Sequence, residues 1–107
     1  MELTLENLMT FFRKKYAGCK DLNNNTILRE YGFDGIQAVY LLEDLENEFN
    51  VTFENFDFHQ YFFEESELTK FDWFGLKKIR DIEDELRVQK LFNYMINNKK
   101  GQAFSDI

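Results

Sequence analysis

The sequence contains only one cysteine, Cys19, and one histidine, His59, in 107 residues. A single cysteine excludes an internal disulfide and any metal site built from clustered cysteines, and it suits a reducing cytoplasm. No apolar run approaches the roughly 20 residues that a membrane span requires, and the N-terminus lacks the basic flank and apolar core of a signal peptide. We therefore expect a cytoplasmic protein.

Basic residues are missing from a long central part of the chain. Between Glu30 and Thr69 there are eleven acidic residues and no lysine or arginine, and the formal net charge of the whole chain is −7. A surface of one sign repels nucleic-acid phosphates and attracts basic protein surfaces. The same acidity is also ordinary in small soluble proteins, where it maintains solubility. Both interpretations stay open at this point.

Apolar and aromatic residues are plentiful enough to form a core. Hydrophobic residues make up 44% of the chain and aromatic residues 18%, with thirteen phenylalanines. Such a composition is not typical of a disordered chain, and the length fits one domain over residues 1–107.

Residues 35–49 have the pattern of an amphipathic helix. Asp34 is a favoured N-cap residue, and Gln37 stands where it can complete a capping box. Acidic residues fill much of the remaining surface of this helix. The apolar stripe consists of Ile36, Val39, Leu42, Leu45 and Phe49, with Leu41 beside it. Pattern alone predicts a core helix with a solvated acidic face.

Two further helices are predicted from capping residues and apolar spacing. Thr4 can cap a helix over about residues 4–17, and Asp57 can cap a short helix over about residues 57–63. His59 falls in the second of these and is interpreted as a packed or surface residue, because no second histidine or cysteine completes a site. The chain also lacks a glycine-rich phosphate loop and a nucleophile motif, so we predict neither an enzyme nor a metal site.

The order of residues around the central helix resembles the second helix of acyl carrier proteins. The matching positions are Gly32, Asp34, Val39, Leu41, Leu45, Glu46 and Phe49, with Ile36 in place of the usual leucine. Gly35 stands where that family has the serine that is esterified with 4′-phosphopantetheine. The resemblance implies an all-α, acyl-carrier-protein-like four-helix bundle. Because glycine has no nucleophile, it also implies that the chain carries no cofactor.

The resemblance extends unevenly beyond the central helix. Residues 56–62 are similar to a segment of elongated acyl-carrier-like proteins, a bacterial family catalogued as a domain of unknown function. Residues 86–98 resemble the last carrier helix, with Arg87 at the place of the usual capping threonine, so Asp84 is the expected cap. Residues 64–85 form an insertion between the third and last helices, and periodicity does not decide its structure.

The resemblance also implies where a partner would bind. Carrier proteins dock against basic patches of their partners through the start of the second helix. By position, the partner-binding residues here are Gly35, Ile36, Val39, Tyr40, Glu43 and Glu46. We expect a monomer that binds a protein with a basic patch and binds neither nucleic acid nor membranes. Tyr40 replaces an acidic residue common in the family, so the partner need not be a fatty-acid enzyme.

Two other functions stay open on the sequence. The chain could be a functional carrier with an unusual attachment residue, for which Ser66 and Cys19 are the candidates. It could also be an acidic stoichiometric inhibitor that mimics nucleic-acid charge or neutralises a basic toxin, an idea that only the acidic run favours.

Overall fold

The computed structural model describes residues 1–66, 82 and 84–100. The regular structure of these residues is helical, and they contain no strand, only two isolated β-bridges. The helices are α1 (Leu5–Lys15), α2 (Gly35–Phe49), α3 (Phe58–Tyr61) and α4 (Val88–Ile96). Two 3-10 turns, Ala17–Cys19 and Leu28–Tyr31, lie between α1 and α2. The predicted all-α class is therefore confirmed.

The first helix begins where its capping residue predicts. The Thr4 hydroxyl accepts a hydrogen bond from the backbone N–H of Asn7 at 3.0 Å, which satisfies one of the amides that a helix start leaves open. The last turn is basic, as the helix dipole favours. Its buried face is formed by Leu8, Phe11 and Phe12.

The long loop between α1 and α2 is attached to the bundle at defined points. The Arg13 guanidinium donates two hydrogen bonds to the carbonyl of Leu22, with Nη2 at 2.7 Å and Nε at 3.2 Å. The side chains of Leu22 and Leu28 are fully buried. These contacts hold the loop against the core although it has little regular structure.

The same loop also closes the N-terminus of α4. The backbone N–H groups of Val88 and Gln89 donate to the carbonyls of Thr26 and Asn24, at 3.0 Å and 2.9 Å. The prediction that Asp84 caps this helix is wrong, because the Asp84 carboxylate accepts instead from the side-chain amide of Gln60. Backbone carbonyls from a distant segment thus replace the side-chain cap that the sequence suggested.

One hydrophobic core joins the four helices of the described residues. Phe12 and Phe62 are its largest fully buried side chains, and the ring of Phe12 meets the ring of Phe33 edge to face at 5.7 Å. The segments that follow α2 and α4 also contact each other, because the backbone N–H of Thr52 donates to the carbonyl of Asn98 at 3.0 Å. The predicted insertion over residues 64–85 lies mostly outside the described residues. No helix in the described part has the length and apolar character needed to cross a membrane.

Candidate partner-binding face of the second helix

The start of α2 is built around the Asp34 carboxylate. Asp34 is the N-cap residue, as predicted, and its Oδ1 accepts from the backbone N–H groups of Gly35 at 3.2 Å and Phe63 at 2.6 Å. Its Oδ2 accepts from Nε of Arg29 at 3.1 Å. In a capping box the Asp34 carboxylate would accept from the backbone N–H of Gln37. Here that N–H donates to the backbone carbonyl of Asp34 at 3.1 Å, so this bond of the capping box is absent.

Gly35 has a backbone conformation that explains why glycine stands at this position. Its φ is +54°, in the left-handed region that other L-residues adopt at a cost. Its N–H also donates to the Phe63 carbonyl at 2.9 Å, so the backbone of residue 63 lies directly against it. The glycine therefore serves a local structural purpose, beyond its lack of a hydroxyl.

The segment after α3 crosses the N-terminus of α2. The Glu65 carboxylate accepts from the backbone N–H of Ile36 at 2.9 Å, and the Arg29 guanidinium lies 4.8 Å from the centroid of the Phe63 ring. Sequence reasoning missed both Glu65 and Arg29. Their contacts with α2 depend on how distant segments pack, and no local pattern marks them.

All four N–H groups at the start of α2 are therefore engaged within the chain. Gly35 and Ile36 donate as described, and the amides of Gln37 and Ala38 donate to the Asp34 carbonyl at 3.1 Å and 3.3 Å. Open amides at a helix start are what usually binds a phosphate. Here the carboxylates of Asp34 and Glu65 accept from these amides and lie where a phosphate would bind, so they would repel it.

An apolar group is exposed on the outer side of α2. Ile36 is 37% exposed, Val39 38% and Tyr40 53%, and Glu43 follows one turn later. Spacings of three, four and seven residues put these four side chains on one face, which we call the α2 face. The buried side is formed by Gly35, Ala38, Leu41, Leu45 and Phe49. The apolar stripe predicted from periodicity is thus wrong at Ile36 and Val39.

Two of the six residues assigned to partner binding lie outside the α2 face. Gly35 is buried beneath the segment that contains Phe63. The Glu46 carboxylate accepts from the backbone N–H of Phe53 at 2.9 Å, so it holds the turn after α2. The structure therefore brings together Ile36, Val39, Tyr40 and Glu43. Whether they bind a partner stays a prediction.

The alternative attachment residues differ in their accessibility. Cys19 is 2% exposed, and burial, with a smaller effect of the nearby Asp21 charge, raises the pKa of its thiol. A buried thiol with a raised pKa is a poor nucleophile. Ser66 is exposed beside Glu65, and it does not follow the Asp34 cap at the start of α2. Neither residue reproduces the position that the carrier resemblance assigns to Gly35.

The described residues contain no group of three or more histidine, cysteine, aspartate or glutamate side chains that could hold a metal ion. His59 is exposed, with Nε2 3.3 Å from a carboxylate oxygen of Glu64. Of the two alternatives predicted for this histidine, packed or at the surface, the structure shows the second.

Part of the chain matches a known protein family. Residues 15–61 match the PP-binding family model, described as a phosphopantetheine attachment site. The matched part runs from the end of α1 through α2 and α3, and it includes the Asp34–Gly35 helix start. The chain has an acyl-carrier-like fold, and the coarse resemblance seen in the sequence is supported. No curated protein and no solved structure matches the chain.

Proposed function

We propose that this chain is a non-enzymatic carrier-like protein that carries no phosphopantetheine and binds a protein partner through the α2 face. The absence of phosphopantetheine is inferred from the structure at the N-terminus of α2. By the family resemblance, Gly35 occupies the serine position, and a glycine offers no oxygen for a phosphoester. The engaged amides and the carboxylates of Asp34 and Glu65 also leave a phosphate group no favourable position.

The exposed apolar residues of the α2 face support the second part of the proposal, that the chain binds a protein partner there. Single exposed apolar residues are common on soluble proteins, but three on one helical face form a contiguous contact surface. Acidic residues continue from this face along the helix, and no lysine or arginine occurs between Glu30 and Thr69. A partner that places an apolar side chain on Val39 and basic side chains near Glu43 complements this surface in shape and charge.

Intact mass tests the absence of the prosthetic group. The chain is incubated with coenzyme A and a broad-specificity phosphopantetheinyl transferase, beside a carrier protein that the same enzyme modifies. We expect an unchanged mass for this chain and a shifted mass for the control carrier. A phosphopantetheine adduct on the unmutated chain would refute the proposal and would favour attachment at another residue, with Ser66 the accessible candidate.

Capture of partners tests the α2 face. Immobilised wild-type chain and the Val39→Glu variant are compared in extracts of the source cells, with Asn25→Glu as a control that adds the same charge to an exposed loop. We expect the specific partner to be lost only with Val39→Glu, because a charge is placed in an apolar contact. A partner retained equally by both variants would remove the α2 face from the proposal.

Salt dependence tests the electrostatic part. The Debye length falls from about 10 Å at 0.1 M salt to about 3 Å at 1 M, so partner affinity should fall over this range. The chain should show no measurable binding to duplex DNA at physiological ionic strength, since phosphates are repelled by the acidic surface. Affinity that does not change with salt would exclude a basic partner surface.

A further inference from the structure

A groove with no assigned role lies between α3 and α4. Its volume is about 420 Å³, which is within the range of small-molecule sites. One wall comes from α3 and the residues just before it, and the other from α4. None of the residues of the α2 face lines it. A ligand in this groove would therefore not contact the α2 face.

Three aromatic side chains, Phe56, Tyr61 and Tyr94, line the groove. The rings of Phe56 and Tyr61 are stacked, with centroids 5.5 Å apart and planes 25° apart. The ring of Tyr94 meets Phe56 edge to face at 5.1 Å. Planar rings in fixed mutual orientation favour a flat aromatic ligand over a flexible chain, because stacking requires no rearrangement of these side chains.

The α4 wall is polar and contains one positive charge. Lys90, Asn93, Tyr94 and Asn97 line the groove at spacings of three, four and seven residues, so they form one stripe of the helix. The Lys90 ammonium lies 4.8 Å from the Tyr61 ring centroid, and none of the ion pairs found within the described residues includes it. It is thus available to an anion that enters the groove.

One further residue limits the charge of the ligand. Asp57 also lines the groove, and its carboxylate disfavours a ligand with more than one negative charge.

We propose that the groove between α3 and α4 binds a small planar aromatic monoanion, with its ring against the aromatic lining and its acidic group at Lys90. The side-chain amides of Asn93 and Asn97 supply hydrogen bonds along the same wall. The site is open, so binding is expected to be weak for a small probe, with Kd in the millimolar range.

The test uses 2-naphthoate as the probe and 2-naphthamide as its neutral counterpart, followed by ¹H–¹⁵N NMR of the full chain. We expect saturable shifts at the amides of Tyr61, Lys90 and Asn97, and an affinity about five-fold higher for naphthoate than for naphthamide. Lys90→Met should abolish this difference. Lys14→Met, which removes an exposed lysine from α1, should preserve it.

Each contrary result overturns the proposal in a recognisable way. Shifts that do not saturate, or that lie on Ile36, Val39 and Tyr40, would show that the groove is not the binding site. Equal affinity of wild type and Lys90→Met for naphthoate would show that the acidic group does not meet Lys90. Because Lys90 is exposed, the variant is expected to fold, and its unligated NMR spectrum verifies this in the same experiment.

Discussion

The carboxylate of Glu65 accepts a hydrogen bond from the backbone N–H of Ile36, with 2.9 Å between Oε1 and the amide nitrogen. This contact joins residues 29 positions apart and fills the helix start at which a carrier-like protein would be expected to hold a phosphate. A charged acceptor is the strongest partner that a free amide at a helix start can have. The contact therefore both stabilises α2 and removes an anion site.

Replacing Glu65 tests this contact directly. Glu65→Ala should lower the free energy of unfolding by about 0.5 to 2 kcal/mol, the usual range for the loss of a helix cap. Hydrogen exchange at the Ile36 amide should accelerate, because the amide loses its acceptor. Glu54→Ala, at another exposed glutamate, should change neither quantity. Unchanged protection of Ile36 in the Glu65 variant would mean that the contact does not persist in solution.

Substitution of Gly35 should be costly for conformational reasons. Gly35→Ala forces a residue with a Cβ into φ of +54°, which should destabilise the fold by about 1 to 2 kcal/mol. Gly18→Ala is the matched control, since Gly18 is exposed and an added Cβ there meets no atom within 4 Å. Urea denaturation measures both variants. Equal stability of the two would indicate that α2 starts in another conformation.

Core and surface positions of α2 should respond differently to truncation. Leu45 is fully buried, so Leu45→Ala should cost about 2 to 5 kcal/mol through lost contacts and the cavity left behind. Val39→Ala, on the exposed α2 face, should stay within about 0.5 kcal/mol of the wild type. Thermal and urea unfolding distinguish them. A loss at Val39 as large as that at Leu45 would place Val39 in the core.

The same tyrosine-to-phenylalanine change should have opposite effects at two sites. Tyr16 donates from its hydroxyl to Oδ2 of Asp44 at 2.9 Å, so Tyr16→Phe should cost about 1 to 3 kcal/mol. The buried Tyr94 hydroxyl has no partner among the described residues, so Tyr94→Phe should be neutral or stabilising. Denaturant midpoints at neutral pH compare the two. Marked destabilisation by Tyr94→Phe would reveal a partner for that hydroxyl.

Alkaline pH should destabilise the protein partly through Tyr16. Burial, followed by the hydrogen bond to Asp44, raises the pKa of Tyr16 above its ordinary value. The fold favours the protonated phenol, so this contribution is fully present below about pH 10 and is lost as the pH rises above that value. Tyr16→Phe should reduce the loss of stability above about pH 10, whereas Tyr40→Phe, at an exposed tyrosine, should not. Identical pH profiles for both variants would contradict this assignment.

Features that depend on neighbouring residues could be predicted from the sequence. The caps Thr4 and Asp34 lie where expected, because a capping side chain acts on amides within its own first turn or next to it. The all-α class follows from apolar spacing and from the carrier-like order of residues at the start of α2. That resemblance also assigned Ile36, Val39, Tyr40 and Glu43 to the partner-binding surface, and all four are exposed.

Features that depend on distant segments were decided only by tertiary packing. Two apolar stripes on α2 share Leu45 and Phe49, and periodicity does not say which one faces the core. The structure buries the stripe through Ala38 and Leu41 and exposes Ile36 and Val39. Periodicity counts apolar residues at helical spacing, but burial depends on where α1 and α4 approach the helix.

The hydrogen-bond acceptors at the starts of α2 and α4 could not be predicted from the sequence either. The amides at the start of α4 meet the carbonyls of Thr26 and Asn24, and the Ile36 amide of α2 meets Glu65. Every buried amide requires an acceptor, which the sequence alone predicts in general terms. Which acceptor it finds depends on the path of the loop before α2 and of the segment after α3. The sequence therefore determined that these helix ends had to be capped, and only the folded chain determined by which residues.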